Sequence, residues 1–178
     1  MKFADLSDYR NLGDIPVLLF AILTVDVIVM YFARMYPRFF GSPLNEWYDR
    51  FGLSAVLSDV LIILIGFLIA RYVYTVYFKP KYGKNPALFL GLVVIVQLIH
   101  DILFYYGPIL LIPRGANEMM DVFKDYSRGG AKILAGDAGL MIGSFIVASL
   151  YRGLPEHAFV GISVVVAYML PYILYMKH

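Results

Sequence analysis

Four aspartates stand inside long apolar runs: Asp26 in TVDVIV, Asp59 in LSDVLI, Asp101 in IHDILF and Asp137 in AGDAGL. A carboxylate in hydrocarbon is costly, so such residues face a bundle interior and find partners there. Gln97 and His100 join them, and Gln97, Asp101 and Tyr105 share one helix face at i, i+4 and i+8. Lys132, about one turn before Asp137, offers the nearest positive charge. His100 sits about 100° round the helix from Asp101. It serves either as a packing residue near a span's end or as a pH-dependent partner for an aspartate on a neighbouring helix. This set can do three kinds of chemistry. It can form a hydrogen-bonded network that orders the helices, a cation or proton site, or an aspartyl-type acid and base pair around a water.

The elements that must position these residues are membrane spans. A spanning helix needs about 20 mostly apolar residues, and five stretches qualify, at about 15–33, 53–78, 86–106, 131–151 and 159–176. Alternating direction places all four aspartates in the same half of the membrane, on the side of the two long loops. Asp14 and Pro16 supply an N-cap and a first-turn proline for the first span. Its leader carries three aspartates and no small-residue cleavage site follows, so it does not read as a cleavable signal peptide.

Each long loop carries a short in-plane helix. In the first loop, Ser42 and Pro43 start a helix bearing Trp47, Tyr48 and Phe51, suited to the headgroup level. In the second, Asn117 caps an amphipathic segment with Met119, Met120, Val122, Phe123 and Tyr126 on one face. Tyrosines close the spans as aromatic belts. Small residues recur at helical spacing, with Ser54, Ser58, Gly66 and Ala70 in the second span and Ala135, Gly139 and Gly143 in the fourth. Such ridges let helices approach closely within the bundle, and homo-oligomerisation through Gly139 and Gly143 is the alternative use of that face. Lysine and arginine divide seven to eight between the two sides, and the cluster Lys79, Lys81 and Lys84 tips the orientation towards an internal N-terminus.

Composition agrees. The chain has 178 residues, 61% of them hydrophobic and 16% charged, against about 45–50% and about 25% in soluble domains. The partner is a lipid bilayer. Fifteen Lys+Arg against 13 Asp+Glu leave no basic face for nucleic acid. With no cysteine, disulfides, thiol catalysis and cysteine-bound metals fall away, and no cofactor motif is present. Known intramembrane active-site patterns are incomplete. LAGD at Leu134–Asp137 lacks the first glycine of the presenilin-type Gly-x-Gly-Asp. GISV at Gly161–Val164 lacks the last glycine of a rhomboid-like Gly-x-Ser-Gly, and the asparagine-rich motifs of a prolipoprotein signal peptidase are missing. Catalytic residues and any metal therefore stay unassigned.

The run IPRGANEMMDVFKDYSRGGAKILAGDAGLMIGS, preceded by VQLIHDILFYY and SDVLIILIGFLIARYVY, resembles small multi-spanning proteins of unknown function encoded by giant and large DNA viruses of protists. The resemblance covers residues 54–149 and includes Asp59, Asp101, Asp121, Lys132 and Asp137. It implies a viral structural or accessory protein in a virion inner membrane or a host internal membrane, and carries over no activity. The expectation is therefore an all-α polytopic transmembrane bundle of one domain, with five spans and in-plane helices in two loops. Its acidic layer is Asp26, Asp59, Gln97, His100, Asp101, Lys132 and Asp137. Carboxylate-based ion or proton transport, or an intramembrane aspartyl-type hydrolase, is the alternative to a structural role, and an enzyme is the less favoured class.

Overall fold

The structure, a computed structural model, describes residues 4–40 and 42–177. Five helices are long and apolar enough to cross a membrane, each with an 18-residue window of mean hydropathy 1.8 or more. The chain is thus an all-helical membrane bundle. The spans are α1 (Asp14–Met35), α4 (Leu53–Val73), α6 (Pro86–Phe104), α8 (Ala131–Tyr151) and α9 (Glu156–Leu174). Between them lie α2 (Pro37–Phe40), α3 (Ser42–Phe51), α5 (Lys79–Tyr82) and α7 (Glu118–Tyr126). A wide π turn, Tyr74–Phe78, joins α4 to α5, and another, Tyr105–Ile109, extends α6. The second breaks direction at Gly107 and Pro108, where proline removes a helix donor.

Lipid replaces water around such a bundle, so its outward residues are apolar. Leu57, Leu61, Ile65 and Ile69 form an exposed i, i+4 stripe on α4, while Ala55, Val56, Ile63, Phe67 and Ala70 are buried on its other side. Helices α1, α4, α6 and α8 pack in a closed ring, α1 on α4, α4 on α6, α6 on α8 and α8 on α1. α9, the span without an aspartate, docks outside on α1. The core of the ring is Leu18, Ile22, Phe67, Phe89, Val93, Met141 and Phe145. Gly66 accepts the Met141 methyl, which would stand 3.1 Å from an added Cβ. Of the small-residue ridges, Gly143 meets Val25 within the chain, whereas Ser54, Ser58 and Ala135 are exposed and Gly139 faces open space.

The ring is built from two similar tandem units, α1–α3–α4 and α6–α7–α8. YDRFGLSAVLSD ends the first in-plane helix and enters α4; YSRGGAKILAGD does the same into α8. Tyr48 matches Tyr126, Arg50 matches Arg128, Gly52 matches Gly130 and Asp59 matches Asp137. The spacing continues to Phe67 and Phe145 and to Ala70 and Ala148, all four buried. Gly52 turns at φ +52°, ψ −127° and Gly130 at φ +53°, ψ −126°, a region open essentially to glycine. The preceding spans match as well: Leu18, Ile22 and Asp26 of α1 and Phe89, Val93 and Gln97 of α6 are buried at the same intervals. The two units therefore share one plan and face each other across the ring.

Several local expectations need correction. Asp14 is not an N-cap; Gly13 occupies that position, and the Asp14 carboxylate is drawn inward by Arg71 and Arg152. Tyr74 is no belt residue, because it is wholly buried and its hydroxyl bonds Gly83 and Asn85. Asn117 does cap α7, accepting the Met120 amide at 3.1 Å. The expected cap at Ser42 concerns a side chain outside those described.

Candidate functional site

The two in-plane helices pack on one another at one end of the ring, which puts both long loops on the same side of the bundle. Beneath them lies a cavity of about 950 Å³. Asp26, Asp59, Gln97, His100, Asp101 and Asp137 all line it, contributed by α1, α4, α6 and α8. Lys132 does not. Its ammonium donates to the Phe39 carbonyl at 2.8 Å and rests over the Phe39 ring, because a long cationic side chain at a span's end reaches outward to the interface.

α3 inserts two aromatic donors into the layer. The Trp47 indole donates to Asp59 Oδ2 at 2.9 Å, and the Tyr48 hydroxyl to Asp26 Oδ1 at 3.0 Å. Both side chains are buried. α7 contributes Tyr126, and its Phe123 ring packs at a tilt against Trp47 with centroids 4.6 Å apart. Burial first, then the Asp26 and Asp59 carboxylates, raises the Tyr48 phenol above its usual value. Burial followed by Asp137, Asp59 and Asp101 does the same to Tyr126. Each phenol thus sits among several carboxylates, as a neutral donor and acceptor.

On α6 the Gln97 amide donates to Asp101 Oδ1 at 2.7 Å, as the shared helix face implied. His100 Nδ1 lies 3.1 Å from the same oxygen, with its ring stacked on Phe104. The histidine's hydrogen-bond partner is its own neighbour, not an aspartate of an adjacent helix. Asp137 makes no hydrogen bond to the described residues. Asp26 is only 1% exposed, yet its second oxygen, Oδ2, has no hydrogen-bond partner among them.

Chemically this is an acid-rich, aromatic-lined chamber. Four carboxylates and one imidazole face it, with no lysine or arginine on its described lining. Among the described residues no group of three or more His, Asp or Glu side chains stands close enough to hold a metal ion. Trp47, Tyr48 and Tyr126 escaped the sequence reading because aromatic residues in an in-plane helix have a sufficient explanation as headgroup anchors. The repeated Tyr-x-Arg-x-Gly spacing ahead of Asp59 and Asp137 was the signal that marks the two tyrosines.

A second buried polar cluster occupies the opposite end. Arg71 is fully buried on α4. Its Nη2 donates to the carbonyls of Asp8 and Asn11, the latter at 2.7 Å, and to Asp14 Oδ2 at 3.3 Å. Arg152 meets Asp14 Oδ1 at 2.9 Å. Outside this plug, Lys79 pairs with Asp8 at 3.0 Å and Asp5 at 3.5 Å. The Lys79 hydrogen bond holds the Asp8 carboxyl below its ordinary value. For Asp5, burial opposes the same result, but bonds from Ser7 and the charge of Lys79 prevail.

Comparison with family models, curated proteins and solved structures gave no match. Any function must therefore be argued from the cavity itself.

Proposed function

We propose that this protein is a membrane-embedded carrier whose carboxylate chamber takes up protons or a cation. One observation supports the reading above others: six polar side chains from four different spans face a cavity large enough for a ligand instead of packing dry. A purely structural network satisfies its members, since a buried polar group without a partner is destabilising. Here Asp26 Oδ2 and Asp101 Oδ2 are buried and lack hydrogen-bond partners among the described residues, and Asp137, also on the cavity lining, makes no hydrogen bond to them. Several ionised carboxylates in a low-dielectric chamber need counter-charge. With no cationic side chain on the described lining, bound protons or a bound cation supply it.

The chain contains a single tryptophan, and Trp47 touches Asp59 directly. Its emission in nanodiscs is therefore a local gauge of the layer. Between about pH 4 and about pH 9, a range that brackets shifted carboxylates, the emission is expected to titrate and Asp59→Asn to abolish that titration. Proteoliposomes with an entrapped pH dye should show proton movement that the same substitution removes. Emission indifferent both to pH and to added cations in a folded protein, together with proton-tight vesicles, overturns the carrier reading.

The hydrolase alternative has less support. Asp26 and Asp59 each accept from an aromatic donor of α3, and neither stands in a Gly-x-Gly-Asp motif. A structural or accessory role in a virion inner membrane or a host internal membrane is the second reading. It rests on the viral resemblance of residues 54–149 and would lead if the chamber proved inert to protons and cations.

A further inference from the structure

We infer that the chamber's occupant is a lipophilic organic cation, a single delocalised or ammonium-type charge on an apolar body of drug size, reaching the site from the lipid. This rests on the carrier reading and names its substrate class. Volume is the first argument, since about 950 Å³ lies at the upper end of the range of pockets that enclose drug-sized molecules, about 300–1,000 Å³, and far exceeds the needs of a bare ion. Charge is the second. The described lining carries four carboxylates, one imidazole and no cationic side chain, and the Oδ2 of the buried Asp26 has no hydrogen-bond partner among the described residues. A positive ligand answers both.

The remaining wall selects the ligand's body. Trp47, Phe104, Phe123 and Tyr126 present aromatic rings, whose faces attract cations. Met119 and Met120 of α7 add adaptable thioethers, the side chains that mould to irregular apolar shapes. Inorganic cations fit poorly, because a small hydrated ion gains little from such walls. The route is lateral: Leu61 and Ile65 of α4 and Ile102 of α6 line the cavity and are also about half exposed on the lipid-facing side. An apolar cation already partitioned into the bilayer meets the carboxylates without crossing water.

The test uses full-length protein in nanodiscs at neutral pH with tetraphenylphosphonium as the probe and Trp47 emission as the readout. Saturable quenching is expected, with triphenylphosphine, which is neutral, and potassium both failing to compete. Asp26→Asn should weaken binding by about tenfold or more, as expected when one partner of a buried ion pair loses its charge. Should that variant not fold, Asp137→Asn serves in its place. Tyr168→Phe, on the outer face of α9, should bind as the parent does. No saturable quenching, quenching equally strong with triphenylphosphine, or affinity unchanged by the aspartate substitutions would overturn the inference. If Trp47 still titrates and vesicles still move protons while the phosphonium fails to bind, the carrier reading stands and only the substrate class falls. Binding with no proton response in either assay would instead strike the proton from the carrier reading and keep the cation.

Discussion

The two ends of the bundle solve the problem of buried charge in opposite ways. At the N-terminal end, Asp14 is matched by Arg71 and Arg152, and Arg71 also satisfies the carbonyls of residues 8 and 11. The result is a closed plug. At the other end the acids outnumber any cation, aromatic and amide donors quench only some of their oxygens, and a cavity remains. Opposite charges in direct contact neutralise one another and tie the N-terminal segment to α4 and α8, although Arg71 Nε and Nη1 find no hydrogen-bond partner among the described residues. The acid layer has no such counter-charge on its described lining, which is why the proposed function lies at the second end and a structural role at the first.

Substitution at Arg71 should separate the two ends most sharply. Arg71→Met strips the counter-charge from a buried carboxylate, and a loss of about 3–5 kcal/mol is expected for breaking a buried pair, read by denaturant titration in detergent. A cost below that of any layer substitution would dissolve the contrast. Next, Tyr48→Phe removes the donor from Asp26 Oδ1 and should destabilise by about 1–3 kcal/mol, the penalty for orphaning a buried acceptor. It also loosens the docking of α3 over the cavity, visible as faster hydrogen exchange in residues 42–51.

Asp59→Asn keeps the size and much of the hydrogen-bonding capacity of the side chain. Its melting should stay within about 1–2 kcal/mol of the parent while the pH response of Trp47 disappears. Equal destabilisation of Asp59→Asn and Arg71→Met would make the layer as structural as the plug. The smallest effect concerns acid. The Asp5 and Asp8 carboxyls lie below their ordinary values in the folded protein, so their pairing with Lys79 is fully present above the unfolded carboxylate value of about 3.9. It is lost as pH falls through the lower folded values. Hydrogen exchange across residues 5–12 should therefore rise only below about pH 4, with the spans unaffected; release at neutral pH would show that Lys79 does not hold the segment.

The spans, the in-plane helices and the shared depth of the four aspartates were legible in the sequence. Runs of apolar residues have a required length in a bilayer, and alternating direction converts sequence position into depth. The partners of Asp14 and Lys132 were not legible in the sequence, for a common reason. Which partner a flexible charged side chain chooses depends on elements distant in sequence: Arg71 and Arg152 for the one, the Phe39 carbonyl for the other. For His100 the sequence leaves two roles open, and the contact with Asp101 and Phe104 of its own helix is a matter of ring orientation, which periodicity does not address.

What the sequence determined by itself was a five-span helical membrane protein with acids at one level, because hydrophobic length and the cost of a charge in lipid are properties of local composition. Even the tandem plan was written there, in YDRFG and YSRGG with an aspartate at the same distance beyond each. Only the tertiary structure decided that the acids line a roomy chamber capped by Trp47, Tyr48 and Tyr126, and that the opposite end is closed by the ion pairs of Asp14 with Arg71 and Arg152. Those outcomes depend on how four helices and two in-plane segments close around a common axis. Packing of that kind is a cooperative property of the whole ring that no single stretch of sequence encodes.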